Sequence, residues 1–274
     1  MKIAWRRAPL SPDQVRTARI LGVIPARLGS ERLPRKPLYP IAGKPLIEWV
    51  WRQVSSFSVL QRVVIATDAD EIRATCASFG AEAVLTSPAH RSGTERIAEV
   101  IELAGYEDFD VVVNVQGDEP FVRETEVLAA VTRLGEGFDV GTVACAVGTR
   151  EAWRDPSVVK VTRRADGAAL YFSRSPIPHR RDGDPTAEEL AAEPYLRHIG
   201  IYAYTPAVLR RWVTLEATVL ESVERLEQLR ALEGGLTIGV GVVAASEAGV
   251  DTPADAQRAT RRILRDHTAE EAVS

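Results

Sequence analysis

Val23-Ile24-Pro25-Ala26-Arg27-Leu28-Gly29-Ser30-Glu31-Arg32-Leu33-Pro34-Arg35-Lys36-Pro37-Leu38 decides the fold. The apolar run leading into it, Ile20-Leu21-Gly22-Val23-Ile24, reads as a buried strand and stops at a proline. A loop with four cations, Arg27, Arg32, Arg35 and Lys36, follows at once. Held together, four like charges repel one another and lose side-chain entropy, and a polyanion among them offsets that cost. Open α/β sheets bind ligands outside the carboxyl ends of their strands. The stretch therefore predicts a phosphate-rich ligand, with a nucleoside triphosphate the first candidate.

Strand and helix patterns alternate outward from this loop. Ile47, Val50, Trp51 and Val54 share one face of a helix predicted over residues 45–56. Residues 62–68 read as a second buried strand, 70–79 as a short helix stopping at Gly80, and 83–86 as a third strand. A helix over 93–105 has Ile97, Val100, Ile101 and Ala104 on its apolar side, and residues 110–115 are the most strongly β-branched run. Strands separated by helices of this length imply βαβ units and a mostly parallel, Rossmann-like sheet. Further on the pattern changes. Residues 158–161 and 168–173 are predicted to pair antiparallel around an Asp166-Gly167 turn. Residues 180–194 are polar without periodicity and read as a mobile loop, whereas 197–204 alternate like a strand. Residues 206–212 and 222–232 read as helices, 236–245 as a late strand, and 253–266 as a helix entered through Thr252. The expected architecture is one α/β domain over residues 20–274 with an inserted β-rich subdomain at about 155–204. Residues 1–19 precede it and read as a partly disordered extension or as a start site placed too early.

With 45% hydrophobic and 26% charged residues the 274-residue chain has the balance of a globular protein. Its net charge of −4 argues against general nucleic-acid binding, so the cationic loop is a local site on an acidic protein. No apolar run approaches the ~20 residues of a membrane span, and residues 1–19 lack the apolar core of a signal peptide. Cys76 and Cys145 lack metal-ligand spacing and read as small buried hydrophobes, in keeping with a reducing cytoplasm. The expectation is a cytoplasmic protein with neither nucleic-acid nor membrane partners. No Gly-x-Gly-x-x-Gly follows the first strand and no Gly-x-x-x-x-Gly-Lys-Ser/Thr occurs, which disfavours a dinucleotide-binding dehydrogenase and a P-loop NTPase.

Asn114-Val115-Gln116-Gly117-Asp118-Glu119-Pro120 places a glycine turn and two carboxylates at a strand end. Gly117 allows close backbone approach to a ligand, and Asp118 suits a magnesium ion shared with phosphate oxygens. Asp251, in Gly249-Val250-Asp251-Thr252-Pro253, either caps the last helix with Thr252 or supplies a second metal carboxylate. The second option requires the late strand to return beside the Asp118 strand. Ser92-Gly93-Thr94 after His90 either caps its helix or offers N–H groups to a base or phosphate. His90 itself reads as a surface polar residue or a ligand contact. Arg174, Arg181, His198 and Tyr202 cluster on the β-rich segment, where guanidinium groups suit a carboxylated sugar. His198 and Tyr202, four apart on a strand, face one side. In the helix after them, Glu227, Gln228 and Arg230 are left to point away from a leucine core.

These motifs in this order resemble the 3-deoxy-manno-octulosonate (Kdo) cytidylyltransferases, the CMP-Kdo synthetases. The resemblance runs from about residue 20 to residue 258 and rests on eight blocks: Ile24 to Leu38, Ala66-Thr67-Asp68, His90 to Thr94, Asn114 to Pro120, Tyr171 to Arg174, His198 to Tyr202, Leu226 to Arg230, and Gly249 to Pro253. It implies a nucleotide-diphospho-sugar transferase fold, a homodimer, a requirement for Mg2+, and a role in lipopolysaccharide biosynthesis. The implied reaction is CTP plus Kdo giving CMP-Kdo and diphosphate. By motif, Pro25, Ala26, Arg27, Ser30, Arg32, Lys36, Thr67, Ser92, Gln116 and Asp118 match CTP-site positions. Arg174, Arg181, His198, Tyr202, Glu227 and Gln228 match sugar-site positions, and Asp118 and Asp251 match the metal carboxylates. Arg27, Arg32, Lys36, Asp118 and Asp251 are the expected catalytic set. Two features depart from the family: His179 follows Pro178 where an aromatic residue is common, and the extension before residue 20 has no usual counterpart. Alternatives are activation of another acidic 2-keto sugar, amino-Kdo or N-acylneuraminate, and a nucleotide-binding regulator without turnover.

Overall fold

The structure is a computed structural model that describes residues 10–30 and 32–271. Residues 1–9 of the expected extension lie outside the described residues. Its remainder contains a short helix, Pro12–Thr17, set by local chemistry. Ser11 accepts from the Gln14 N–H, the Gln14 side chain returns to the Ser11 N–H, and Pro12 stands at the first helical position.

The chain forms two compact units, each assembled from separated segments. The first is built from residues 21–107, 114–124 and 247 onward. In it the strands Ile20–Ala26, Arg62–Thr67 and Ala83–Leu85 pair in parallel, with Ile24 opposite Ile65 and Ile65 opposite Ala83. The expected βαβ pattern is present: Leu46–Ser55 precedes the second strand, Asp70–Ser78 the third, and Gly93–Val100 follows. Leu21, Val23, Ile24, Val64, Ile65, Leu46, Ile47, Val50 and Ile97 are fully buried, so apolar strand runs and one face of each helix make the core. The helix at Gly93 ends at Val100, five residues short of Gly105, where φ is +91°.

The second unit contains residues 108–113 and 125–246. Its central strand, Val140–Ala146, pairs in parallel with Ile238–Val242 and antiparallel with Leu196–Tyr204. Leu196–Tyr204 also pairs with Lys160–Arg163, which forms the expected antiparallel hairpin with Ala169–Ser173. The sequence reading assigns no element to Val140–Ala146, whose Gly, Ala and Cys lack the branched bulk that marks a strand. Packing requires the glycine at 141. A Cβ on Gly141 would stand 1.8 Å from the Ala130 carbonyl oxygen of the helix Glu124–Gly135.

Two segments differ from expectation. Within residues 180–194, read as a mobile loop, a short helix Ala187–Leu190 starts at a Thr186/Glu189 capping box. Leu190 is buried with Val147, Trp153 and Tyr195, so one apolar anchor orders a polar stretch without periodicity. The helix expected over 222–232 is instead two, Val219–Glu224 and Gln228–Glu233, divided at Arg225 in the left-handed region. Leu190→Ala is expected to destabilise the protein by about 2–5 kcal/mol, the cost of truncating a buried leucine, checked by denaturant unfolding. A change below ~0.5 kcal/mol, the scale of surface substitutions, would mean that the segment is not anchored by this contact.

Candidate active site

The first unit carries a cleft of about 570 Å3 at the carboxyl ends of its parallel strands. Pro25, Ala26, Arg27, Ser30, Arg32, Lys36, Ser92, Gln116, Asp118 and Asp251 all line it. Every expected CTP-site residue but Thr67 is thus brought to one surface. Thr67 is fully buried, and its hydroxyl accepts from the Ala69 N–H at 3.2 Å. It supports the strand end from behind the lining.

At one wall, Lys36 joins two acids far apart in sequence. Its Nζ donates to Asp118 Oδ2 at 2.5 Å and to Asp251 Oδ1 at 2.9 Å. Arg32 Nη2 lies 2.9 Å from the same Asp251 oxygen. Burial works against the Lys36 charge, but the two carboxylates outweigh it and hold the ammonium above the ordinary lysine pKa. Backbone contacts bring the acids together. Val115 N–H donates to Val23 O at 3.1 Å, seating the Gln116-Gly117-Asp118 turn beside the first strand. A Cβ on Gly117 would stand 2.8 Å from Pro25 O, so only glycine fits there. Val250 N–H then donates to Asp118 O at 2.8 Å and ties the late loop to the turn.

The neighbours of Asp251 cap the last helix without its carboxylate. Thr252 Oγ1 accepts from Asp255 N–H, and Asp255 Oδ2 accepts from Asp251 N–H, Thr252 N–H and Thr252 Oγ1–H. Thr252 and Asp255 cap the helix Pro253–Glu271, which leaves the Asp251 carboxylate on the cleft. Ser92 does act as a cap, accepting from Glu95 N–H at 3.2 Å, while also lining the cleft. Two carboxylates sharing one ammonium are hard oxygen donors of the kind that could hold magnesium. Among the described residues no group of three or more His, Cys, Asp or Glu side chains could hold a metal alone.

The second unit gathers the other set. The register between Leu196–Tyr204 and Val140–Ala146 shifts between Ile199 and Tyr202, yet His198 and Tyr202 remain on one face, ring centroids 5.4 Å apart. Phe172 meets His198 edge-on at 5.0 Å and Trp212 meets Tyr202 at 5.8 Å. Thr142 Oγ1 donates to Ile201 O at 2.7 Å, so it accepts from His198 Nε2–H at 2.8 Å. Burial pushes the imidazole down to about 3, leaving it neutral with Nδ1 as the acceptor. Burial and the Glu227 charge push the Tyr202 phenol up. Gln228 is buried, and Arg181 is exposed. Arg174 donates to the carbonyl oxygens of Glu224, Pro156 and Arg225 at 2.8, 2.9 and 3.4 Å, so three of its five N–H donors are engaged by backbone. Arg230, expected to be left free, is 2% exposed and is held between Glu227 at 2.8 Å and Glu221 at 3.5 Å.

Comparison with known proteins separates a nucleotide-transfer site from other anion-binding clefts. The family model described as "Cytidylyltransferase" matches residues 21–238. The chain belongs to the cytidylyltransferase family. The 3-deoxy-manno-octulosonate cytidylyltransferase of Aliivibrio fischeri (strain MJ11) is 46% identical over 244 residues, 88% of this chain and 97% of that protein. The 3-deoxy-manno-octulosonate cytidylyltransferase 1 of Actinobacillus pleuropneumoniae serotype 5b is 46% identical over 250 residues, covering 88% and 98%. The structure of a CMP:2-keto-3-deoxy-manno-octonic acid synthetase complexed with CTP superposes with a TM-score of 0.81 at 37% identity, covering 91% of this chain and all of that one. It shares the mixed α/β fold with a mostly parallel central sheet expected from the sequence.

In this cytidylyltransferase the sequence reading passed over one cleft residue of consequence. Arg96 is 3% exposed, lines the cleft, and donates to Asp68 Oδ2 at 2.7 Å and Thr86 Oγ1 at 2.5 Å. Its spacing of four from Ser92, one helical turn, is the signal that placed it on the same side. His90 also lines the cleft, its ring paired with Glu99.

The neutral His198 gives a pH test. The unfolded chain takes up a proton at this side chain near pH 6.5, and the folded chain refuses it until about pH 3. The folded state therefore loses stability as pH falls below 6.5, by up to about 1.4 kcal/mol per pH unit for one proton. His198→Asn is expected to flatten the dependence of unfolding free energy on pH between 6.5 and 5 by that one proton. A slope equal to wild type would show that the imidazole is not held neutral.

Proposed function

We propose that this chain is a CMP-Kdo synthetase, joining CTP to Kdo with release of diphosphate. The observation that carries the reading is the Lys36–Asp118–Asp251 constellation in a cationic cleft, in a chain alike over most of its length to proteins of that name. The sugar's anomeric oxygen forms a bond to the α-phosphorus of CTP as the bond from that phosphorus to the diphosphate oxygen breaks. The chemistry depends on placement and charge stabilisation and needs no covalent protein intermediate. Arg27, Arg32 and Lys36 neutralise the triphosphate and the charge gathering on the leaving group. Pro25, Ala26, Ser30, Ser92 and Gln116 line the nucleotide's path, and Gly117 seats the Asp118 turn against Pro25.

Asp118 and Asp251 are the residues to hold magnesium, and the Lys36 ammonium between them marks a position that calls for positive charge. Bound there, the ion supplies Lewis-acid stabilisation of the transferring phosphoryl group. We assign the sugar hydroxyls to His198, Tyr202, Glu227 and Gln228, and the carboxylate to the exposed guanidinium of Arg181 together with the two N–H donors of Arg174 that backbone leaves over. We extend the reading to a homodimer in the cytoplasm serving lipopolysaccharide synthesis. Exposed Leu170, Val219 and Val223 on the second unit support self-association, and no described helix is long and apolar enough to cross a membrane.

Asp118→Asn is expected to lower kcat at least ~100-fold, about 2.7 kcal/mol of barrier, in a diphosphate-release assay with magnesium. Turnover near wild type would remove Asp118 from the machinery. The same assay with four nucleoside triphosphates and a panel of acidic 2-keto sugars is expected to single out CTP with Kdo. Preference for amino-Kdo or N-acylneuraminate would correct the sugar. CTP binding without diphosphate release for any sugar would make the chain a nucleotide-binding regulator.

A further inference from the structure

Glu224 is the last residue of the helix Val219–Glu224, and its carboxylate reaches across to the strand Ala169–Ser173. It accepts from Ser173 Oγ–H at 2.6 Å, from Arg174 N–H at 2.9 Å, and at the edge of range from Tyr171 Oη–H at 3.5 Å. Arg174 answers from the other side, its guanidinium donating to the carbonyl oxygens of Glu224 and Arg225 at the helix end. A cation on helix-terminal carbonyls and a carboxylate on a strand-end N–H close one reciprocal lock.

A buried lysine fixes the strand side of this lock. Lys160 is fully buried, and its Nζ donates to the carbonyl oxygens of Asp155, Val158 and Arg174 at 2.8, 2.6 and 2.6 Å. All three ammonium protons are spent on backbone. Burying that charge lowers the lysine pKa, a cost accepted at a position that must not move. The helix side leads straight into the proposed sugar contacts. Arg225 sits at φ +52°, in the left-handed region disfavoured for a side chain, so the turn keeps its shape only if something outside it holds it. Glu227 and Gln228 follow two and three residues later, and Arg230 ties Glu227 back to Glu221 of the preceding helix.

We propose that Glu224 is a positioning residue for the acidic-sugar site: its carboxylate locks the Ser173–Arg174 strand end to the Arg225 turn and so sets where Arg174, Glu227 and Gln228 stand. The proposal rests on the reading of these three as sugar contacts. Glu224 touches neither nucleotide nor metal ligands, so its removal acts on one substrate.

The test compares KM for Kdo and KM for CTP in wild type, Glu224→Ala and Glu224→Gln, with the thermal midpoint of each. Glu224→Ala is expected to raise KM for Kdo at least tenfold and leave KM for CTP within threefold. Glu224→Gln is expected to regain much of the loss, because its amide oxygen can accept from Arg174 N–H and its amide nitrogen can donate to Ser173 Oγ. A general loss of structure would lower the active fraction without splitting the two KM values. Kdo KM within twofold of wild type in Glu224→Ala, or equal rises in both KM values, would overturn the proposal. If Glu224→Ala does not fold, Ser173→Ala removes one bond of the lock and is expected to raise KM for Kdo about threefold with CTP unchanged; no such split would overturn it equally. Wild type inactive on Kdo in the same assay would instead remove the sugar reading, and this inference with it.

Discussion

One ammonium group between two carboxylates organises the catalytic wall of this protein. Lys36 and Asp118 are mostly withdrawn from water, which strengthens their attraction, whereas Asp251 is 38% exposed and its pairing is partly screened. Three backbone decisions must be right before that attraction can act. The Asp118 turn must lie on the first strand, which Val115 and Gly117 secure. The Asp251 loop must return to that turn, which Val250 secures. The last helix must be capped by Thr252 and Asp255, so that Asp251 keeps its carboxylate for the cleft.

The two candidate surfaces solve different physical problems. The cleft of the first unit is an electrostatic site, where cations stand ready for a polyanion and acids already share a positive charge. The second cluster is nearly neutral at its centre. A neutral imidazole and a phenol with a raised pKa face each other within aromatic walls. Such a surface recognises hydroxyl groups by direction rather than by charge. The charges around it, Lys160, Glu224 and Arg230, are turned toward protein groups, where they fix backbone and neighbouring side chains.

Residues 20–26 and 62–67 announced themselves because parallel strands buried along most of their length are continuous apolar runs. The strand Val140–Ala146 did not, because Gly141, where a Cβ would strike the helix Glu124–Gly135, interrupts its branched residues. The segment 180–194 looked unstructured because Leu190 alone anchors its short helix, and one residue makes no period. The interruption at Arg225 was equally hidden, since arginine is a good helix former and only its tertiary partners hold it at positive φ.

By itself the sequence determined the alternation of strands and helices, the cationic loop at a strand end, and the family to which these motifs belong, because each is written in neighbouring residues. It supplied two separate acids and an arginine beside a presumed sugar surface, but not their partners. Only the tertiary structure decided that Lys36 bridges Asp118 and Asp251, that Arg96 joins the cleft, that backbone carbonyls orient Arg174, and that Glu227 holds Arg230. The physical reason is range: hydrogen bonds and ion pairs act over a few ångströms in space, and residues dozens to hundreds of positions apart acquire such proximity only when the backbone has folded.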